Sequence, residues 1–397
     1  MLQLSDRLLS MEESATLAMS RKSRELKQKG LDVISLSLGE PDFNTPDFIK
    51  EAAVEAMNQN YTSYTPVPGY LELREAIVKK FKRDNGLDYS ADQIVVSTGA
   101  KQSIANLMMS LVNPGDEVLI PAPYWVSYIE IVKVAGGVPV IVDATLENDF
   151  KVTGADIKEK ITPKTKAMIF SSPCNPTGSV YAKEELKDIA NAFADYKDIV
   201  IISDEIYEHI NFKGKHESIA QFDAVYDQTV TVNGVSKAWA MTGWRIGYIG
   251  APKKIAAACG KMQGQSTSGA NAIAQRATIA ALEKDPAYLE DMLNAFKNRR
   301  ALVLSALRGM DGVEVNEPEG AFYFFPNVSA FFGKSFDGKN INDANDLAMY
   351  LLEEALVAVV TGDAFGNPNC MRISYATDEA TLTEAMKRID KALQNLK

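Results

Sequence analysis

Apolar residues along the chain fall into short, nearly unbroken runs separated by stretches with helical spacing. The runs are QIVVST (93–98), DEVLIP (116–121), VPVIVD (138–143), AMIFSS (167–172), DIVIIS (198–203), TVTVNG (229–234) and WRIGYIGA (244–251). Their length and their content of Val and Ile predict buried strands. Between them, ELREAIVKKFKRDNG (72–86) reads as an amphipathic helix stopped by Gly86, the usual residue just past a helix end. KQSIANLMMSLVNPG (101–115) reads as a second helix, ended by Pro114-Gly115. Strands alternating with helices predict an α/β sheet covered by helices on both faces. After about residue 290 the pattern changes. A long charged helix (LEDMLNAFKNRRALVLSALRG) leads into GAFYFFP, another helix (DANDLAMYLLEEAL) and the strand CMRISYA, which predicts a smaller α/β unit.

With 397 residues the chain is too long for one compact core, so two domains are expected. The 42 basic residues are outnumbered by 52 acidic ones. That balance argues against a nucleic-acid surface, while a local basic pocket for an anionic substrate remains compatible with it. The three cysteines, Cys174, Cys259 and Cys370, lack CxxC pairing, so neither a disulfide framework nor a thiolate zinc site is expected. Cys174 reads as a small packing residue rather than a nucleophile. The only histidines, His209 and His216, fall in the loop-like HINFKGKHES, which leaves a histidine triad or a metal site almost nothing to draw on, and no metal is expected. No apolar run reaches membrane-spanning length. The start, MLQLSDRLLSMEES, is broken by charges and does not read as a signal peptide, so a cytoplasmic location is expected.

The chemistry concentrates in SSPCNPTG (171–178), SDEIY (203–207) and NGVSKAWAMTGWR (233–245), which string together Asn175, Asp204, Tyr207, Lys237 and Arg245. This is the residue set that a buried pyridoxal phosphate requires: a lysine for the aldehyde, a carboxylate for the ring nitrogen, an amide and a phenol for the ring oxygen, and an arginine for the phosphate. Asp204 follows an apolar run, which puts it at the carboxyl end of a strand, where α/β sheets bind ligands. A buried carboxylate needs a cation, and a protonated pyridine is one. Lys237 attacks an aldehyde only when deprotonated, so burial or a positive neighbour such as Arg245 has to lower its pKa. STGAKQS (97–103) joins a strand to a helix, where the N–H groups around Gly99 and Ala100 suit a phosphate. It lacks the spacing of a nucleotide-binding loop. Taken singly, each of these residues has a plainer reading, as a surface lysine, a capping aspartate or a packing tyrosine. Their order as a set argues for the cofactor.

That order resembles the fold-type I aminotransferases, specifically the aspartate aminotransferase family of class I, in the bacterial branch related to aspartate/prephenate aminotransferases. The resemblance runs from about Ser14 to the C-terminus. It implies a large domain with a mostly parallel sheet sandwiched by helices (46–288), a small α/β domain (289–397), and an N-terminal segment (1–45) packing with the small one. It implies that Lys237 bonds the cofactor and then moves the substrate's α-proton, that Trp125 stacks on the cofactor face, and that Ser236 and Lys101 also contact the cofactor. Arg372 and Gly39 would take the substrate's α-carboxylate, beside Asn175 and Trp125. Lys101, with the segment around Ser14 and Thr16, would read a distal carboxylate. Tyr64 would reach the phosphate of a second subunit, giving a homodimer with shared active sites.

Three positions depart from the family pattern. Gly234 stands where many members have a hydroxyl, and Thr361 where relatives have proline. Glu12 replaces a lysine of prephenate-accepting members, which favours aspartate and glutamate over prephenate. The expected reaction is ping-pong transfer of an amino group between L-aspartate and 2-oxoglutarate. The alternatives are an aminotransferase for aromatic amino acids or prephenate, a carbon–sulfur lyase on the same fold, or a ligand-sensing regulator. The chain carries no basic helix-turn-helix segment that would support the last.

Overall fold

The computed structural model describes residues 3–397; the start of the expected N-terminal segment, residues 1 and 2, lies outside them. All seven apolar runs form strands of one sheet. These are β1 (Ile94–Ser97), β2 (Glu117–Ala122), β3 (Val138–Asp143), β4 (Thr165–Ser171), β5 (Val200–Asp204), β6 (Thr229–Gly234) and β7 (Gly247–Gly250). Their order is β1-β7-β6-β5-β4-β2-β3. Every neighbouring pair is parallel except those of β7, which runs antiparallel to both β1 and β6.

Alternation along the central strands explains why they read as unbroken apolar runs. Ile169 and Ile202 face one apolar layer, shared with Leu107 and Met108 of the helix Ala100–Leu111. Met168 and Ile201 face the other, shared with Leu186, Ile189 and Phe193 of the helix Lys183–Phe193. A strand covered on both sides has no polar face to show. Each such side chain, fully buried, stabilises the fold by about 1.5–3 kcal/mol.

The C-terminal part builds a three-stranded antiparallel sheet from Val360–Thr361, Met371–Ser374 and Tyr323–Phe324. The helices Glu290–Arg308, Ala344–Glu354 and Glu379–Gln394 contribute Phe296, Leu347, Leu351, Leu382 and Ile389 to its core. The N-terminal segment joins here, because Ile34–Ser35 pairs in parallel with Val357–Ala358.

One predicted helix ends differently from its pattern. Leu71–Lys80 is α-helical, but Phe81–Asn85 forms a wider π-type turn before Gly86 closes it at φ 73°. The cause is Lys80, which points inward. Its ammonium donates to Asn85 Oδ1 at 2.8 Å and pairs with the buried Glu208 carboxylate. The wider turn brings both Phe81 and Asn85 into the interior. Among the described residues, no helix is long and apolar enough to cross a membrane.

Candidate active site

Parallel registration lines up the carboxyl ends of three strands. Ser171 at the end of β4 pairs with Asp204 at the end of β5, which pairs with Val232 near the end of β6. The loops that follow carry Asn175, Tyr207 and Lys237 into one cavity of about 360 Å³. Arg372, on the strand Met371–Ser374, closes it from the C-terminal sheet, and Gly39 from the N-terminal segment. Ala100, Lys101, Trp125, Ser236 and Arg245 also line it, as do Ser14 and Thr16.

Lys237 donates from Nζ to the Gly39 carbonyl at 2.6 Å. Burial pushes its pKa down to about 8, and the positive charge of Arg372 adds to the shift. Arg245 also lowers it, as expected from the sequence, by less than Arg372 does. Asp204 is buried, accepting from the Tyr128 hydroxyl at 2.8 Å and from the Ile206 N–H at 3.3 Å. Burial raises its carboxyl to about 6, against the opposing pull of the Tyr128 hydrogen bond. A carboxyl that costly to ionise is poised for a cationic partner.

Arg372 is 2% exposed and lies between the Tyr323 and Phe365 rings, its guanidinium carbon 4.6 and 4.8 Å from their centroids. Nη1 donates to Asn175 Oδ1 at 2.9 Å and Nη2 to the Ser37 carbonyl at 2.6 Å. The Asn175 carbonyl is thereby engaged, which leaves its NH₂ as the free donor. Tyr207 shares a 2.8 Å hydroxyl–hydroxyl hydrogen bond with Tyr323. Gly39 packs against that same Tyr323 phenol, and a side chain there would overlap it.

The cationic end forms around the start of the helix Ala100–Leu111. Gly99 precedes it at φ 83°, and a side chain on Gly99 would run into the Arg245 guanidinium. Arg245, itself left-handed at φ 58°, donates from Nη1 to the Thr242 carbonyl at 2.8 Å. Gly247 brings β7 so close to the Ala100 N–H that no Cβ fits between them. Gly234 has a parallel reason, since a Cβ there would press on the Ile246 carbonyl and on Gly247. The absent hydroxyl at 234 is thus a packing requirement of this chain. Lys101 sits with Nζ 4.8 Å from the Trp125 ring centroid, and its pKa is lowered by burial and then by Arg245.

Two expected site residues lie apart from the cavity lining. Gly99 stands behind the Arg245 guanidinium. Tyr64 is 99% exposed and does not line its own chain's cavity. Glu12 is also outside it, its N–H bonded to Glu130 Oε2 at 3.2 Å. The histidines lie in turn and loop as expected, but they are packed against acidic groups. His216 Nε2 is 3.0 Å from Glu205 Oε2 and His209 Nε2 is 3.3 Å from Glu208 Oε1. Ligand-type atoms of Asp84, Glu208 and His209, and of Glu205, Glu208 and His216, gather within 4.8 Å of one another. Lys80 already supplies the cation at Glu208.

Tyr128 and Tyr323 were missed in the sequence. Both sit in aromatic-rich strings, PAPYWVSY and GAFYFFP, whose hydrophobicity reads as core. A hydroxyl among buried rings is a signal, since buried phenols seek partners.

The profile of the family described as "Aminotransferase class I and II" matches residues 31–389. A relative from Cereibacter sphaeroides named aspartate/prephenate aminotransferase is 48% identical, over 97% of this chain and 97% of its own. The solved aspartate aminotransferase of Rhizobium meliloti superposes with a TM-score of 0.96 at 41% identity, covering 100% of both chains. The Thermus thermophilus aspartate aminotransferase solved with maleate gives 0.93 at 42%, covering 99% of this chain and 100% of its own. An amine of lowered pKa, a buried carboxylate and a held guanidinium share one cavity, and sequence and fold match from end to end: the chain belongs to the aminotransferase class I and II family and is a transaminase.

Proposed function

We propose that the cavity holds pyridoxal 5′-phosphate and that the enzyme moves an amino group between L-aspartate and 2-oxoglutarate, giving oxaloacetate and L-glutamate, by a ping-pong mechanism. The observation that carries this reading is the opposed shift of two buried groups in one cavity, Lys237 toward neutrality and Asp204 toward protonation. A flat ring with a basic nitrogen at one end and a phosphate at the other fits both ends, since Asp204 offers the nitrogen a carboxylate and Arg245 with the Ala100 helix start offers the phosphate donors and positive charge. When bound, the cofactor supplies an aldehyde that takes up the amino group and a ring that accepts electrons from the substrate's α-carbon.

The chain's residues do the rest. Lys237, with a pKa of about 8, is neutral in roughly a tenth of molecules at pH 7 and carries the proton that leaves the α-carbon. Arg372 presents a planar fork to the α-carboxylate, and its two protein acceptors and two flanking rings fix that plane. The Asn175 NH₂ and the Tyr207 hydroxyl would donate to the ring oxygen of the bound cofactor. Trp125 would wall the ring face, and Lys101, Ser14 and Thr16, which line the same cavity, would face the substrate's far end. A distal carboxylate suits Lys101, and the Thermus relative was solved with maleate, itself a dicarboxylate.

The same reading takes the active unit to be a cytoplasmic homodimer in which the fully exposed Tyr64 completes the phosphate site of the partner. It divides the chain at residues 45 and 288, supported by the pairing of Ile34–Ser35 with Val357–Ala358. The test is a panel of amino acids mixed with reconstituted enzyme, following cofactor absorbance in single half-reactions. Aspartate and glutamate should react fastest. Failure of both, or release of ammonia or a thiol, would overturn the proposal. Prephenate belongs in the panel because the Cereibacter relative carries it in its name.

A further inference from the structure

Asp204 takes its short side-chain hydrogen bond from a different element of the fold. Tyr128 sits in the first turn of the helix Ser127–Val134 and is 1% exposed. Its hydroxyl donates to Asp204 Oδ2 at 2.8 Å, while the only other donor among the described residues, the Ile206 N–H, stands at 3.3 Å from Oδ1. The Tyr128 ring is held edge-on against Trp125, with centroids 5.5 Å apart and planes at 88°. Trp125 lines the cavity, and Tyr128 follows it by three residues. One short segment after β2 therefore carries both the aromatic wall and the donor to the carboxylate.

We propose that Tyr128 is a positioning residue of the reaction, which fixes the orientation of the Asp204 carboxylate and keeps it anionic for the cofactor ring. This rests on the cofactor reading above.

The surroundings of Asp204 leave this task to few groups. On its own segment, Glu205 is a like charge that favours protonation, and Tyr207 follows on the next turn. Cys174, from the loop after β4, lies near Tyr128 with its thiol held neutral by burial. Lys237, after β6, favours the anion, but by less than Tyr128 does, and the Ile206 N–H contributes between the two. Tyr128 thus leads the groups that oppose the burial of this carboxylate. A tyrosine there for packing alone would be replaceable by phenylalanine, whose ring fills the same space.

Tyr128→Phe tests this, because it removes one hydroxyl and keeps the ring. In apoenzyme labelled with ¹³C-carboxyl aspartate, the Asp204 resonance is identified by its loss in Asp204→Asn. Its titration midpoint should rise by about one pH unit in Tyr128→Phe, a tenfold change in protonation and typical of losing a hydrogen bond to a charged group. Glu205→Gln should move it the opposite way. In reconstituted enzyme, the aspartate half-reaction should slow about tenfold and the acid limb of its pH profile should move upward. KM should change little, since Arg372 and Lys101 are untouched. An unmoved midpoint would overturn the proposal, as would a rate that falls in Tyr128→Leu but not in Tyr128→Phe. A shifted midpoint with an unchanged rate would overturn the role in the reaction. The apoenzyme titration needs no cofactor, so failure of the wild type to react with dicarboxylic amino acids would count against the proposed function separately.

Discussion

Asp204→Asn should make the apoenzyme more stable at neutral pH while disabling the enzyme. In the folded chain this carboxyl titrates near 6 rather than its ordinary 3.8. The difference of roughly 2 pH units corresponds to about 3 kcal/mol of opposition to the charged form, at 1.36 kcal/mol per unit. The sign follows from proton counts. Between about pH 4 and 6 the folded chain holds the proton more tightly than the unfolded one, so folding stability falls as pH rises through that window. Asparagine carries no charge and escapes the penalty. It presents one acceptor instead of two to Tyr128 and Ile206, which returns about 1 kcal/mol. The net expectation is a gain of about 2 kcal/mol at pH 7.5 that turns into a loss of roughly 0.5 kcal/mol at pH 4, where the charge penalty has nearly gone and the lost acceptor still counts. Urea unfolding of cofactor-free wild type and variant at those two pH values measures it. A variant less stable than wild type at pH 7.5, or a gap equal at both, would refute the reasoning. In reconstituted enzyme the same change should slow the aspartate half-reaction by about a hundredfold or more, the lower range for loss of a positioned acid–base group.

The remaining predictions concern the other cavity residues. Lys237→Ala should lower turnover by at least the roughly 10²–10⁴-fold typical of a lost acid–base group; near-normal activity, or borohydride fixing the cofactor to another lysine, would refute the assignment. Arg372→Lys keeps the charge but cannot satisfy both Asn175 and Ser37 and also present a fork, so binding of every amino-acid substrate should weaken by about tenfold or more. A defect limited to dicarboxylic substrates would instead place Arg372 at the distal group. Lys101→Ala should cost aspartate roughly ten- to hundredfold relative to phenylalanine. Equal losses for both, with weaker cofactor binding, would assign Lys101 to the phosphate.

The central strands were legible because they are covered on both faces, and a doubly covered strand leaves an unbroken apolar run; the edge strand β3 was legible from its Val and Ile content, although only Val142 in it is fully buried. Asn175, Asp204 and Lys237 were legible for a related reason, since a polar residue just after such a run marks the strand's carboxyl end. The direction of β7 left no trace in composition: WRIGYIGA would read the same running either way. Tyr128 was hidden because its function depends on one hydroxyl within a segment that otherwise behaves as core. The inward turn of Lys80 was hidden more deeply. In ELREAIVKKFKRDNG it is one of four basic residues within five positions, and only the distant Glu208 distinguishes it. Glu205 and Glu208 alternate with Asp204 and Tyr207 on SDEIYE, so one segment faces the cavity on one side and buried Ser218, His216 and Lys80 on the other. Separation in sequence, not weakness of chemistry, concealed those partners.

The antiparallel strand β7 bears on how the molecule folds. Among the described residues the edge strand β1 pairs in the sheet with β7 alone, so residues 94–97 remain unpaired until residues 247–250 arrive. Closing a loop of that length carries an entropic penalty and slows folding relative to local contacts. The anion-facing end of the cavity is split across the same junction, with Gly99 and Ala100 following β1 and Arg245 preceding β7. It therefore forms only when the most sequence-distant pairing in the sheet is made. It also requires correct register, because a slip of one residue would turn each side chain of β7 to the opposite face. A phosphate-bearing ligand that binds there stabilises only chains that have completed this step. Its effect on the lifetime of the native state should appear mainly as slower unfolding, with the search for the native pairing left nearly unassisted.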